Sequence, residues 1–332
     1  MEKTYLPHID VLRAIAVFLV IFNHLNITLF SGGFIGVDIF FVISGYLITK
    51  NIQQEIQHNT FSLLNFYQRR VLRLAPAFFT ILICSTLAFW LFSTPSELNA
   101  YFKSLIAATS LSVNIYFWQS LSDYFSIDAH TTPLLHLWSL SLEEQFYLLW
   151  PTLLLFLMKL DFRVKLTVFL ILFISSFSYS YYAALHNPIF AYYLLPTRFF
   201  EFMLGALLVF LPQRNFSIAI REWVTLLSLL MLLIFSFILT KDSIFPSYNA
   251  LFVCCASALY IYFARINEQR IFWQPLLYLG KISYPMYLWH WVIIVAVNVH
   301  SITLDTKVRF FIIIVTILLS WLTYERIEKP SK

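Results

Sequence analysis

An all-α polytopic membrane protein is the fold class that the sequence predicts, with about ten transmembrane helices, one re-entrant or interfacial helix and both termini in the cytoplasm. Three observations lead there. Hydrophobic residues make up 60% of the chain and charged residues only 12%, against about 25% charged in a soluble domain. The mean hydropathy is +0.76. Apolar stretches of span length recur along all 332 residues, separated by short polar links.

The same numbers exclude other classes. The 22 basic and 17 acidic residues leave a net charge of +5, which in such a chain reflects orientation by cytoplasmic loops and not nucleic-acid binding. Cys84, Cys254 and Cys255 all lie in apolar stretches, so no extracytoplasmic disulfide framework is indicated. The first apolar stretch is interrupted by Asn23, His24 and Asn26 and lacks a small-residue cleavage site, so it reads as a retained helix and not a signal peptide. No solenoid repeat is visible. The longest polar link, about 52–71, is too short to bury a core of its own. The chain is therefore read as one integral-membrane domain, 1–332.

Eleven apolar stretches follow in order: roughly 9–30, 33–51, 72–93, 102–118, 135–158, 164–184, 190–211, 223–240, 246–264, 282–299 and 308–324. The basic residues orient them. Lys3 and Arg13 place the N-terminus inside, as Arg69, Arg70 and Arg73 do for the link after the second stretch. Segments 94–100 and 119–134 hold no Lys or Arg, and the second holds Asp123 and Asp128, so both belong outside. The stretch between them, 102–118, then does not cross and is read as the re-entrant or interfacial element. Beyond it the links alternate. Lys159, Arg163 and Lys165 fall inside, as do Arg214 and Arg221, then Arg265, Arg270 and Lys281, and finally Arg326, Lys329 and Lys332. Segments 185–189, 241–245 and 300–306 fall outside, with Lys241 and Lys307 the only misplaced bases.

Polar residues set into apolar helix carry the candidate chemistry, because each is expensive in lipid unless it faces protein or water. Arg13 and His24 are eleven residues apart. On a helix that spacing returns to within about 20° of the same face and rises roughly 16 Å. The plainer reading pairs Arg13 with Asp10 one turn back and leaves His24 a satisfied polar residue. Gly32, Gly33 and Gly36 permit close backbone approach between helices or to a ligand. Asp38 follows them, either as a near-surface cap or as a site residue, and Ser44-Gly45-Tyr46 lies further along the same stretch. Arg69, Arg70 and Arg73 lie within one turn of each other, a cluster suited to bidentate phosphate binding or, more plainly, to anionic headgroups. In the run His136 to Tyr147, helical spacing puts His136, Ser139 and Glu143 on one face, with Glu144 about 100° away. Two adjacent carboxylates entering a hydrophobic span point to function. Arg198 and Glu201, at i,i+3, suit a structural ion pair. His290, among aromatics, is a site candidate or a core histidine bonded to a backbone carbonyl.

Taken together these motifs resemble the acyltransferase-3 family of membrane O-acyltransferases, which modify bacterial surface polysaccharides such as lipopolysaccharide O-antigen. The resemblance runs end to end. It covers Ile9-Asp10-Val11-Leu12-Arg13-Ala14 with His24, the stretch Gly36 to Leu47, and Arg69-Arg70-x-x-Arg73. It continues through Trp138 to Tyr147, the Arg198/Glu201 segment, Ser283 to His290 and the closing Tyr324 to Pro330. What it implies is transfer of an acetyl group from cytoplasmic acetyl-CoA to a glycan hydroxyl on the outer face of the bacterial inner membrane, with no metal. The family's arginine/histidine pair maps onto Arg13 and His24, and its arginine cluster onto Arg69, Arg70 and Arg73. On that mapping the arginines hold the CoA phosphates. His24 acts as general base or carries the acetyl, and Glu143 or Glu144 orients it. Arg13 or the amides around Gly32–Gly36 stabilise the oxyanion. Asp38, Tyr46, His136, Ser139 and His290 are expected at the substrate. Many relatives continue into a periplasmic esterase-like domain, which this chain is expected to lack, so a partner or direct transfer would complete delivery. A transporter or flippase of a glycan intermediate is the alternative, with no inverted repeat in its favour.

Overall fold

The structure, a computed structural model, describes residues 5–121, 132–212, 214–266, 268–300 and 302–331. Lys3, Asp123, Asp128 and Lys332, which entered the predicted orientation, lie outside the described residues. The described residues form helices and no strand. In chain order the helices are α1 (Pro7–His24), α2 (Gly36–Gln57), α3 (Leu63–Phe92), α4 (Pro95–Thr109), α5 (Val113–Ser120), α6 (Leu137–Met158) and α7 (Phe162–His186). Then come α8 (Pro188–Tyr193), α9 (Leu195–Leu207), α10 (Ile218–Ile238), α11 (Ser247–Phe263), α12 (Gln274–Lys281), α13 (Ser283–Val299) and α14 (Thr306–Thr323), closed by a π-helical turn, Tyr324–Glu328.

Helices occupy each predicted apolar stretch. Among the described residues seven helical segments, with α8 and α9 taken together, are long and apolar enough to cross a membrane, or eight if Ile271–Lys281 and Ser283–Val299 count as one span. Large apolar side chains stand outward, among them Leu91, Ile171, Trp223 and Phe310 at 71%, 57%, 71% and 65% exposure. Such surface is unfavourable in water and matched by hydrocarbon. The chain is a multi-pass membrane protein.

Two predicted stretches are subdivided. Segment 102–118 is not one element. Helix α4 begins earlier, at a Thr94–Glu97 capping box, and ends before Leu111, whose φ of 57° turns the chain into α5. At 15 and 8 residues, neither reaches the roughly 20 that a span requires. Segment 190–211 breaks at Leu194, ahead of Pro196. A proline lacks the N–H that would continue the ladder, and the carbonyls so released find side-chain donors. Thr197 Oγ1 donates to Ala191 O and Leu194 O at 2.9 and 2.7 Å; just inside α9, Ser176 Oγ bridges the ladder, donating to Pro196 O at 2.7 Å and accepting from Phe200 N–H at 2.9 Å.

The chain divides into two compact units, residues 1–57 with 146–281, and 58–145 with 282–332. Helix α6 contributes its start, to Gln145, to the second unit and its remainder to the first. In the first unit α1 packs on α2 and α12, α9 on α2 and α7, and α10 on α11. Close approach sets these pairings. A Cβ on Gly33 or Gly36 would run into the Leu19 or Ala16 carbonyl oxygen of α1. The predicted glycine stretch is therefore a helix-packing device. In the second unit α13 packs on α14 and α3, and the π-helical turn lies against α3. Gln145 Nε2 donates to Leu111 O and Asn114 Oδ1 at 3.0 and 2.9 Å, pinning α5 to the start of α6.

Candidate functional site

Each unit carries its own share of the predicted site residues. In the first unit, α1 runs unbroken from Pro7 to His24, so about 16 Å of helical rise separates Arg13 from His24. Arg13 Nη1 sits 3.3 Å from Asp10 Oδ1, and the Tyr5 hydroxyl donates to Asp10 Oδ2 at 2.8 Å. The plainer sequence reading of Arg13 is the one its contact matches. His24 closes the helix with its side chain 6% exposed. Beyond it, Asn26 adopts a left-handed φ of 53° and Asn23 Nδ2 donates to Ser31 O at 2.7 Å, which fixes the turn leading to Gly33.

The oxyanion role expected for Gly32–Gly36 does not suit two of those amides. Gly32 N–H already donates to Ser236 O at 2.9 Å, and Gly36 N–H to carbonyls of its own turn. Asp38 is no near-surface cap either. It is 1% exposed and accepts from Arg198 Nη1 at 2.8 Å, while the same Nη1 donates to Glu201 Oε1 at 2.9 Å. Arg198 Nε donates to Tyr192 O at 3.2 Å, one of the carbonyls released by the helix break. The guanidinium lies over the Tyr192 and Phe245 rings at 4.9 and 5.1 Å. The expected Arg198–Glu201 pair is thus a buried triad. Tyr46 faces Lys50, whose Nζ lies 3.4 Å from its hydroxyl.

The second unit holds the arginine cluster and the carboxylates. Arg69, Arg70 and Arg73 ride one unbroken helix, α3, as their spacing predicts. Glu144 has Arg70 and Glu143 as electrostatic neighbours. Tyr284, from α13, is near Glu144, Glu328, Glu143 and Arg70, and donates to Leu74 O at 3.2 Å. Four separate segments thus supply one charged cluster. Tyr284 and Glu328 were not singled out from the sequence, although both stand in the closing motifs. Sequence reasoning lacked a reason to bring them to the arginines.

His136, Ser139 and His290 also meet in this unit. Ser139 Oγ and Tyr287 Oη are 2.6 Å apart, and Tyr287 donates to His136 O at 2.9 Å. The His136 and His290 ring centroids are 5.8 Å apart. His290 Nδ1 lies 3.1 Å from Met286 O; a carbonyl only accepts, so Nδ1 carries the proton. That is the core-histidine geometry kept as the alternative for His290.

Residues 6–325 match the family model described as an acyltransferase domain, of the acyltransferase-3 type. The chain is 34% identical over 348 residues to the O-acetyltransferase OatA of Staphylococcus aureus, covering 99% of this chain and 57% of that protein. It is 33% identical to the peptidoglycan O-acetyltransferase OatA of Listeria monocytogenes, covering 100% of this chain and 56% of the relative. It is 32% identical to the putative peptidoglycan O-acetyltransferase YrhL of Bacillus subtilis, covering 99% and 55%. The chain spans just over half the length of these curated relatives. No solved structure matches it.

Proposed function

Since the chain belongs to the acyltransferase-3 family, we propose that it is a membrane O-acetyltransferase that moves acetyl from cytoplasmic acetyl-CoA to a hydroxyl of a cell-surface glycan. The observation that carries this reading is His24, a buried imidazole closing the first helix of a chain whose relatives are named O-acetyltransferases. His24 takes the proton of the acceptor hydroxyl as its oxygen attacks the thioester carbonyl. The carbon–sulfur bond then breaks and the CoA thiolate leaves with a proton. Transfer through an acetyl-imidazole on His24 uses the same residue in two steps.

Arg69, Arg70 and Arg73 hold the CoA phosphates by charge-assisted hydrogen bonds. Glu144, a neighbour of Arg70, orients that cluster. Asp10 ties Arg13 near the other end of α1 from His24, so Arg13 anchors its helix and is not given the oxyanion. Ser139 and His136, and Tyr46 in the first unit, are assigned to the substrate as hydrogen-bonding and packing groups, whereas Asp38, held by Arg198, and His290, bonded to its own helix, serve the packing of the helices. The relatives' names point to peptidoglycan as the acceptor; O-antigen is the expectation from the broader family resemblance. With the ten spans expected from the sequence, in the inner membrane and with both termini inside, the arginines belong toward the cytoplasm and His24 toward the outer face.

The test is the O-acetyl content of peptidoglycan and surface polysaccharide, by proton NMR, in a deletion host carrying the wild-type chain or His24→Ala at equal membrane abundance. The wild type restores acetyl and the variant loses it by about 100-fold or more, the scale of a general base. Equal acetylation by both removes His24 from the chemistry.

A further inference from the structure

We infer that the N-terminal turn of α1, together with Lys50 and Arg265, is a phosphate-binding site in the first unit, beyond the role given to Arg69, Arg70 and Arg73. Helix α1 is 18 residues long, and its N-cap, Leu6, offers no side-chain acceptor to the first-turn N–H groups. The partial positive charge of that helix end therefore lacks a side-chain cap. His8 lies in this turn. It is 5% exposed, and its Nε2 has no hydrogen-bond partner among the described residues. A buried polar atom without a partner is expensive and calls for a ligand or water.

The electrostatic neighbours of His8 are Arg265, from the segment after α11, and Lys50, from α2. Each is anchored in a way that keeps donors in reserve. Among the described residues Arg265 uses one nitrogen, Nη1, for its bonds to Tyr262 O and Ala264 O at 3.2 and 2.7 Å, out of five N–H donors on the fork. Lys50 rests on Tyr46, its ammonium 5.5 Å from the ring centroid and 3.4 Å from the hydroxyl. The acidic residue of the turn, Asp10, is engaged by Tyr5 and Arg13. Two cations thus act electrostatically on a buried imidazole at a helix N-terminus, and their mutual repulsion is relieved by an anion. In its Nε2–H tautomer His8 donates one hydrogen bond, while the fork of Arg265 and the ammonium of Lys50 supply others. That donor set fits the oxygens of a phosphate ester. Two sources carry this chemistry, a phosphate of a CoA-type coenzyme and the headgroup of an anionic lipid.

The test uses the full-length protein purified in detergent, as wild type, as Lys50→Gln with Arg265→Gln, and as each single variant. Two probes are titrated: CoA by equilibrium binding, and phosphatidylglycerol by lipid retention against phosphatidylcholine. Arg265 is exposed and Lys50 half-buried, so the double variant is expected to melt like the wild type without probe; the single variants serve if it does not. We expect it to bind one probe at least about tenfold more weakly, the loss of one charge-assisted hydrogen bond or more. Loss for CoA alone identifies a coenzyme phosphate, and loss for phosphatidylglycerol alone identifies a headgroup. Unchanged affinity for both overturns the site. An Arg69→Gln, Arg70→Gln, Arg73→Gln variant run in parallel reports on the donor cluster separately, so the two readings fail independently.

Discussion

Arg198 balances two carboxylates with one guanidinium, 1% exposed, with Asp38 Oδ1 and Glu201 Oε1 at 2.8 and 2.9 Å from the same Nη1. Removing the cation strands both acids in a dry interior. Arg198→Met is expected to cost roughly 3–5 kcal/mol of stability, read as a lower unfolding temperature in detergent. Adding Asp38→Asn and Glu201→Gln to that variant should recover much of the loss, since no uncompensated charge then remains. A triple variant as unstable as Arg198→Met would mean that the guanidinium acts through packing on Tyr192 and Phe245 alone. Half of this triad was legible in the sequence: an i,i+3 spacing brings Arg198 to Glu201 on any helix. Asp38, separated from Arg198 by 160 positions, carried only the signal of an acid near a glycine turn. Arg13 was the reverse case, where the local partner Asp10 answers the spacing and the distant imidazole does not.

At the scale of the element, the broken helix α8–α9 shows how one proline organises a polar site. The break frees carbonyls, Thr197 and Arg198 take them, and the guanidinium is thereby aimed at Asp38. Helices α2 and α9 must come close for this to happen, and glycine on both sides permits it. A Cβ on Gly45 would collide with the Phe202 carbonyl oxygen, and one on Gly205 with that of Val42. Gly45→Ala is therefore expected to destabilise by about 1–3 kcal/mol or more, because backbone and not a flexible side chain stands in the way. The unfolding temperature in detergent checks it. No loss on Gly45→Ala would show that the pair relaxes apart. Periodicity announced these helices, while the break at Leu194 and the turn at Leu111 depend on which carbonyls find donors.

For the whole molecule, the distribution of Lys and Arg predicts an orientation with both termini inside. Single cysteines introduced into a chain freed of Cys84, Cys254 and Cys255 test it. Asn187→Cys and Asp242→Cys should react with an impermeant thiol reagent added outside intact cells. Gln57→Cys and Glu268→Cys should react only after permeabilisation. The opposite pattern would invert the orientation and move the arginine cluster to the outer face, away from cytoplasmic CoA.

Composition and hydrophobic periodicity sufficed for the class of the protein and the position of most of its helices, and the ordered motifs sufficed for the resemblance to its family. These are properties of local spacing and of the solvent that the side chains demand. Which polar residues meet was a tertiary matter. The Asp38–Arg198–Glu201 triad, the gathering of Tyr284 and Glu328 with Arg70 and Glu144, and the convergence of His8, Lys50 and Arg265 each join segments far apart in the chain. A charge buried away from water must find its partner wherever the packing of helices delivers one, and no local pattern encodes that delivery.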